Sequence, residues 1–348
     1  MAVPTMQAIR FHEHGGPEVL RLEEVAIPRP GPGEVRVRVR ACALNHLDIW
    51  NRRGMPGRRL SLPRIPGADV AGEIDELGAG VSGLEAGSRV LVNPGISCGR
   101  CEACLSGQDT LCPQYHILGS QVDGGYAQYV IVPAANVLPM PRHLSFEQAA
   151  AVPLVFLTAW HMLVTLARVR PGETVLVWGA GSGVGSAAIQ IARLLGARVF
   201  ATVGSDDKME RARHLGAEVV LHHGRQHVDE EIRSLTGRRG VDVVVEHVGQ
   251  ATWEKSIRSL THGGRLVTCG ATTGYEGLTD IRYLFSRQLR LFGSYMGSKA
   301  ELLHLMPFVE RGQLKPVVDR VWPLAEAAQA HRWMEERRHF GKLVLTIP

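Results

Sequence analysis

Apolar and charged residues alternate strictly along residues 34–41 (EVRVRVRA), and a period of two predicts a strand with one buried face. Residues 6–11, 70–74 and 89–93 predict further short strands, set apart by frequent Gly and Pro. Residues 1–153 therefore read as an all-β, barrel-like domain. From about residue 170 the rhythm changes. Residues 174–178 predict a buried strand, 179–185 a glycine-rich turn, and 186–195 (SAAIQIARLL) an amphipathic helix stopped by Gly196. Strands follow at 199–203, 219–221, 243–246 and 266–270, with helices between them at 207–215, 229–235 and 253–260. Such alternation specifies an α/β domain, a parallel sheet with helices on both faces. Near the end a helix over 325–336 and a strand over 342–347 are expected, either extending that sheet or returning to the first domain.

Composition narrows the class. The 348 residues correspond to about two domains. Apolar residues make up 45% and charged residues 21%, ordinary globular values that exclude disorder, collagen and a coiled coil. The longest apolar run, 149–160, contains Pro153 and is short of the roughly 18 residues a membrane span needs. No basic stretch leads into an apolar one near Met1, so no signal peptide is expected, and the expectation is a soluble cytoplasmic protein with no membrane partner. The net charge of +5 is spread without runs, which argues against a nucleic-acid partner.

Two motifs carry chemistry. In Gly179-Ala180-Gly181-Ser182-Gly183-Val184-Gly185, glycines let a pyrophosphate approach the backbone, and the following helix presents free N–H groups. The strict G-x-G-x-x-G spacing is not met, because Val184 takes the third slot counted from Gly179. The next strand ends Thr202-Val203-Gly204-Ser205, without the acid that selects NAD. Ser205 and Lys208 suit a 2′-phosphate instead, favouring NADP(H), while Asp206 and Asp207 keep NAD(H) open. The second motif is Cys98-x2-Cys101-x2-Cys104-x7-Cys112. Four thiolates complete a tetrahedral zinc site and leave no position for water or substrate, so the zinc would be structural, one per chain. An iron–sulfur cluster is the alternative by ligand type. Cys42 and Cys269 stand apart.

The whole chain resembles the medium-chain dehydrogenase/reductase superfamily. The resemblance is carried by Gly67-Ala68-Asp69-Val70-Ala71-Gly72, Gly87-Ser88-Arg89-Val90, the four-Cys lobe, Gly124-Gly125-Tyr126-Ala127, the turn at 179–185 and Gly341-Lys342. It implies a GroES-like β-barrel catalytic domain over 1–153 with a zinc lobe at 94–113. A Rossmann doubly wound domain over 154–292 follows, then a segment over 293–348 that returns to the first domain. A homodimer or homotetramer is implied as well, and Lys342 aligns with a family Arg that pairs with the cofactor pyrophosphate.

Zinc-type alcohol dehydrogenases of this superfamily hold a second, catalytic zinc. Its three positions fall here on Asn45, Ala68 and Leu154, of which Ala and Leu cannot ligate metal. Quinone and enoyl reductases of the family look the same, with Asn in place of Cys. The expected activity is therefore NAD(P)H-dependent reduction of a carbonyl-conjugated double bond or quinone, with only structural zinc. Such chemistry needs hydrogen-bond donors at the developing oxyanion, and Asn45, His46 and Asp48 are the candidates. Some zinc-free relatives carry Tyr where this chain has Trp50, and His161 reads as a packed histidine. Two alternatives stand beside this reading. One is an alcohol dehydrogenase that binds metal through His46 with Asp48 or Asp69. The other is a cofactor-binding protein with little catalysis.

Overall fold

The computed structural model describes residues 3–57 and 59–348. The chain divides into two compact units. One comprises Met1–Leu154, Ser298–Glu310 and Lys315–Pro348; the other comprises Val155–Gly297 and Arg311–Leu314.

The first unit is built around the strand Glu34–Ala43. Val35, Val37, Val39 and Ala41 are fully buried, whereas Arg38 between them is exposed, as the alternation requires. Each such Val burial contributes roughly 1.5–3 kcal/mol. One edge pairs antiparallel with Asp69–Leu77. The other edge is shared: Tyr129–Pro133 pairs with residues 34–38, and Lys342–Thr346 pairs with residues 41–43. Val318–Pro323 lies beyond Lys342–Thr346 in the same seven-stranded sheet. The last strands thus return to the first unit rather than extend the parallel sheet, a non-local pairing that hydrophobic period cannot reveal.

The second unit is a six-stranded parallel sheet in the order Val219–His222, Arg198–Val203, Thr174–Val177, Val241–Glu246, Leu260–Thr268, Arg290–Gly293. The chain winds outward in one direction from Thr174–Val177, then crosses over and winds in the other. This creates a topological switch point at the carboxyl end of that strand, where doubly wound sheets bind ligands. Its core joins Leu176, Trp178, Phe200, Val244 and Leu266 from the sheet to Val228, Ile232 and Ile257 from the helices. Leu260 opens a strand instead of closing the preceding helix, which ends at Ser259.

One feature departs from the sequence expectation. Among the described residues, the helical stretch Phe146–Leu166 is long and apolar enough to cross a membrane, with a mean hydropathy of 1.8, but 72% of it is buried inside the protein. Its last turn, His161–Leu166, is π-helical. The apolar character extends past the 149–160 run because Pro153 stands at the first turn of Pro153–Trp160 and does not interrupt that helix.

Candidate active site and cofactor turn

Strand register assembles the polar centre of the first unit. Val344 pairs with Ala43, so Lys342, two residues earlier on an antiparallel strand, lies opposite Asn45. Asp69 pairs with Ala43 from the other side. Lys342 Nζ donates to Asp69 Oδ2 at 2.9 Å and to Asn45 Oδ1 at 2.6 Å. Asn45 Nδ2 donates to the same Asp69 oxygen at 2.9 Å, and the Leu154 N–H donates to Asp69 Oδ1 at 2.8 Å. Asn45, Asp69 and Lys342 are all buried. A desolvated ammonium is tolerated beside a carboxylate, and Asp69 supplies one here, with Asn45 Oδ1 as a second acceptor.

Asn45 also caps the helix His46–Arg53, where Asp48 Oδ2 accepts from the Asn45 N–H at 2.8 Å. Asp48 Oδ1 accepts from the Gly67 N–H at 3.2 Å. Gly67 has φ +102°, and a Cβ there would lie 2.4 Å from the Tyr126 ring, so only glycine lets its N–H approach. Tyr126 Oη donates to Asp48 Oδ2 at 3.4 Å. Burial is the main reason that the Asp48 carboxyl is pushed up to about 6.

Behind Asp48 runs a directional chain. Arg52 can only donate, so His331 Nδ1, 3.1 Å away, is the acceptor and its proton sits on Nε2. Nε2 then donates to Tyr126 Oη at 3.2 Å, and the phenol proton points to Asp48. Arg52, fully buried, is also held by Glu335. Burial and the Arg52 charge hold the His331 imidazole down to about 3. Tyr126 lies in a motif of the resemblance, but sequence patterns offer no signal that it joins Arg52 and His331, which are distant along the chain.

These contacts place the expected site residues as follows. Asn45 directs its amide nitrogen to Asp69 and, at 3.5 Å, to Ala43 O. Asp48 is an acceptor for two backbone N–H groups and a phenol. Lys342, aligned by resemblance with a pyrophosphate-binding Arg, is buried here with its ammonium bonded to Asp69 and Asn45. His46 alone of the expected trio is half-buried, at the first position of its helix, with its ring edge-on to Trp50 at 5.2 Å. Asn45 and Leu154 do converge on Asp69, and Ala68 precedes it. At the three family positions, Ala68 and Leu154 bring no side-chain metal ligand, and both Asp69 oxygens accept hydrogen bonds.

In the second unit the turn after Thr174–Val177 begins at Gly179, whose φ is +60°. The helix runs over Gly183–Leu194, three residues earlier than its apolar pattern suggests, with Ser182 as the cap. Ser182 Oγ accepts from the Gly185 N–H at 2.8 Å. The N–H groups of Gly183 and Val184 lie in the first turn, without intrahelical acceptors, and are oriented for an anion. A Cβ on Gly185 would lie 2.3 Å from Gly179 O. Gly185 thus supplies the close helix–strand packing of the third fingerprint glycine, one position late. His247, unmarked in the sequence, braces the turn: its Nε2 donates to Trp178 O at 2.8 Å and lies 3.2 Å from Ser182 Oγ. At the tip of the next strand Val203 is buried, and Gly204 and Ser205 are the first accessible residues. Asp206 is paired with Arg225 at 2.9 Å, another residue the sequence pattern does not mark.

The four cysteines of the lobe form one group, with all Sγ atoms within 4.8 Å of one another. Cys98 and Cys104 are separated by 3.9 Å, and Cys101 and Cys104 by 3.5 Å. Four sulfurs at the zinc–thiolate distance of 2.3 Å span tetrahedral edges of about 3.8 Å, so the set is the right size for zinc. Backbone N–H groups of Arg100 and Cys101 lower the Cys98 thiol pKa from its ordinary value. Lys299 Nζ donates to Ser97 Oγ at 2.8 Å, tying the helix Lys299–Glu310 to the lobe.

Comparison with known proteins agrees with this architecture. Residues 31–142 match the family described as alcohol dehydrogenase GroES-like domain, and residues 183–311 match zinc-binding dehydrogenase. The chain is 33% identical to a quinone oxidoreductase of Rattus norvegicus over 98% of both chains. It is also 33% identical to an NAD-dependent alcohol dehydrogenase of Sulfolobus acidocaldarius, over 98% of this chain and all of that one. A crystal structure of an NAD-dependent alcohol dehydrogenase superposes with a TM-score of 0.96 at 52% identity, covering 99% of this chain and 100% of that one. The chain belongs to the medium-chain dehydrogenase/reductase superfamily and is an NAD(P)-dependent oxidoreductase.

Proposed function

We propose that this enzyme reduces a carbonyl-conjugated double bond or a quinone without a catalytic metal. The observation that carries the reading is Asp69, whose two oxygens are occupied by Lys342, Asn45 and Leu154. When bound, the nicotinamide supplies a hydride. In a conjugated acceptor that hydride reaches carbon and the charge spreads to oxygen, where one N–H donor and a proton complete the reduction. His46 is the group proposed for that task. Lys342, Asp69, Asn45 and Asp48 hold the helix that carries it.

The pyrophosphate is assigned to the turn of Gly181, Ser182, Gly183, Val184 and Gly185. NADP(H) is the proposed cofactor. Ser205, Lys208 and Arg225 supply hydroxyl and charge for a 2′-phosphate, and the Asp206 carboxylate is engaged by Arg225. One structural zinc is assigned to Cys98, Cys101, Cys104 and Cys112. These thiols form no disulfide, which suits a reducing, cytoplasmic compartment. A homodimer is proposed through the sheet edge at Arg290–Gly293, close in sequence to the exposed Leu278, Ile281 and Phe285.

The alcohol dehydrogenase reading is the second one, favoured by the description of the structure with 52% identity. Oxidation of NADPH and NADH against an enone, a quinone, an enoyl thioester and a simple aldehyde separates the two. Turnover of a conjugated acceptor, unchanged by added zinc, is expected. Preferred turnover of the aldehyde, restored by zinc after chelation, would make the second reading primary.

A further inference from the structure

At the amino-terminal end of the parallel sheet, opposite the glycine-rich turn, a cleft of about 650 Å³ opens within the second unit. Arg233, Arg238, Arg239, Arg258 and Arg287 line it, and Glu230 is the single acid among the lining residues. The arginines come from four separate segments, so no basic run marks them in the sequence.

Part of this charge has local partners. Arg239 is bonded to Asp242 at 2.5 Å, and Arg258 to Glu254. Among the described residues no carboxylate bonds Arg233, Arg238 or Arg287. Arg287 lies over the Tyr283 ring at 4.5 Å and donates to Leu260 O at 3.3 Å. Burial and then the Arg233 charge lower the Arg287 pKa from its ordinary value, so the two guanidiniums work against each other. Cations are favoured near helix C-termini, which accounts for Arg233 at the end of Val228–Leu235 and Arg258 at the end of Trp253–Ser259. Arg287 likewise follows the end of Ile281–Ser286, but the helix ends do not account for Arg238 joining these guanidiniums in one open cleft without a carboxylate partner.

We infer that this cleft binds a small polyanion carrying at least two phosphate or carboxylate groups. Its volume is that of a small-molecule site, and guanidinium forks match both oxyanions. The exposed Ser234 and His262 add polar contacts at its rim. Because the cofactor turn follows the carboxyl end of Thr174–Val177, a ligand here is neither the cofactor nor the substrate under reduction.

The test uses the full-length protein with NADPH saturating the dinucleotide site. Calorimetric titration at low salt with tripolyphosphate and, separately, citrate distinguishes phosphate from carboxylate ligands. One site per chain is expected for at least one of them. Arg233→Gln and Arg238→Gln should each weaken it about 10-fold, in line with loss of a charged hydrogen bond, with thermal unfolding of the free protein unchanged. Absence of binding by both anions, or binding that the two variants retain, would overturn the inference.

Discussion

The Lys342 ammonium lies 2.9 Å from an Asp69 carboxylate oxygen, and the two residues, 273 positions apart in the sequence, are both shielded from solvent. Removing one partner of such a pair leaves an unmatched buried charge, which costs on the order of 3–5 kcal/mol. Lys342→Met should therefore lower unfolding stability by about that amount, measured in urea. Adding Asp69→Asn should recover part of the loss, because the stranded charge is gone. A double variant as unstable as the two single losses summed would show that the residues do not interact.

Asn45 bonds both members of that pair, and Asn45→Ala should destabilise by roughly 1.5–3 kcal/mol, as expected for a hydrogen bond to a charged group. His46→Ala should leave stability nearly unchanged. Its turnover on the best conjugated acceptor should fall about 10²-fold or more, the usual contribution of a positioned proton donor. Equal turnover of His46→Ala and wild type would remove His46 from the chemistry.

Purified protein should contain about one zinc per chain, since four thiolates close one site. Cys101→Ser should release that metal and lower the thermal midpoint, because ligand binding contributes to folding. Elemental analysis and a melting curve report on both. Close to two zincs per chain would contradict the donor set around Asp69.

Acid stability should show two opposed contributions. The unfolded chain protonates His331 near 6.5, whereas the folded protein does so only near 3, so stability is lost as pH falls below about 6.5. Asp48 works the other way. Its folded value of about 6 exceeds the ordinary 3.8, so the folded state binds the proton more tightly and gains stability as pH falls from about 6 to 4. His331→Gln, which keeps a donor and an acceptor, should flatten the acid side of the stability profile. Asp48→Asn should steepen it. Denaturation midpoints between pH 4 and 7 measure both slopes.

Cofactor choice should respond to Arg225. Arg225→Gln removes a charge proposed for the 2′-phosphate and frees Asp206 to accept from a ribose hydroxyl. The ratio of kcat/KM for NADPH over NADH should fall about 10-fold, the effect of one charged hydrogen bond. Substitution at Val203 is a poorer test, since that side chain is buried and an acid there would disturb the core. A wild-type preference for NADH would place Asp206 or Asp207 on the ribose.

Local order was legible in the sequence wherever short-range physics dictates it. The alternation over 34–41 marks Glu34–Ala43, the helix Asp207–Leu215 has the bounds its pattern suggests, and the cysteine spacing brings four sulfurs together within one lobe. Each depends on neighbours a few residues apart, so period, cap and spacing suffice. The roles of Asn45, Asp48 and Lys342 depended on strand pairing across nearly the whole chain. Residue type suggested donors and a phosphate ligand, but register and burial decided which groups all three bond. The same holds for His331, Tyr126 and Arg52, and for five arginines from four segments that share one cleft. Only tertiary structure decides which charges meet and which lose water, because desolvation and pairing act between residues that the chain separates and the fold brings together.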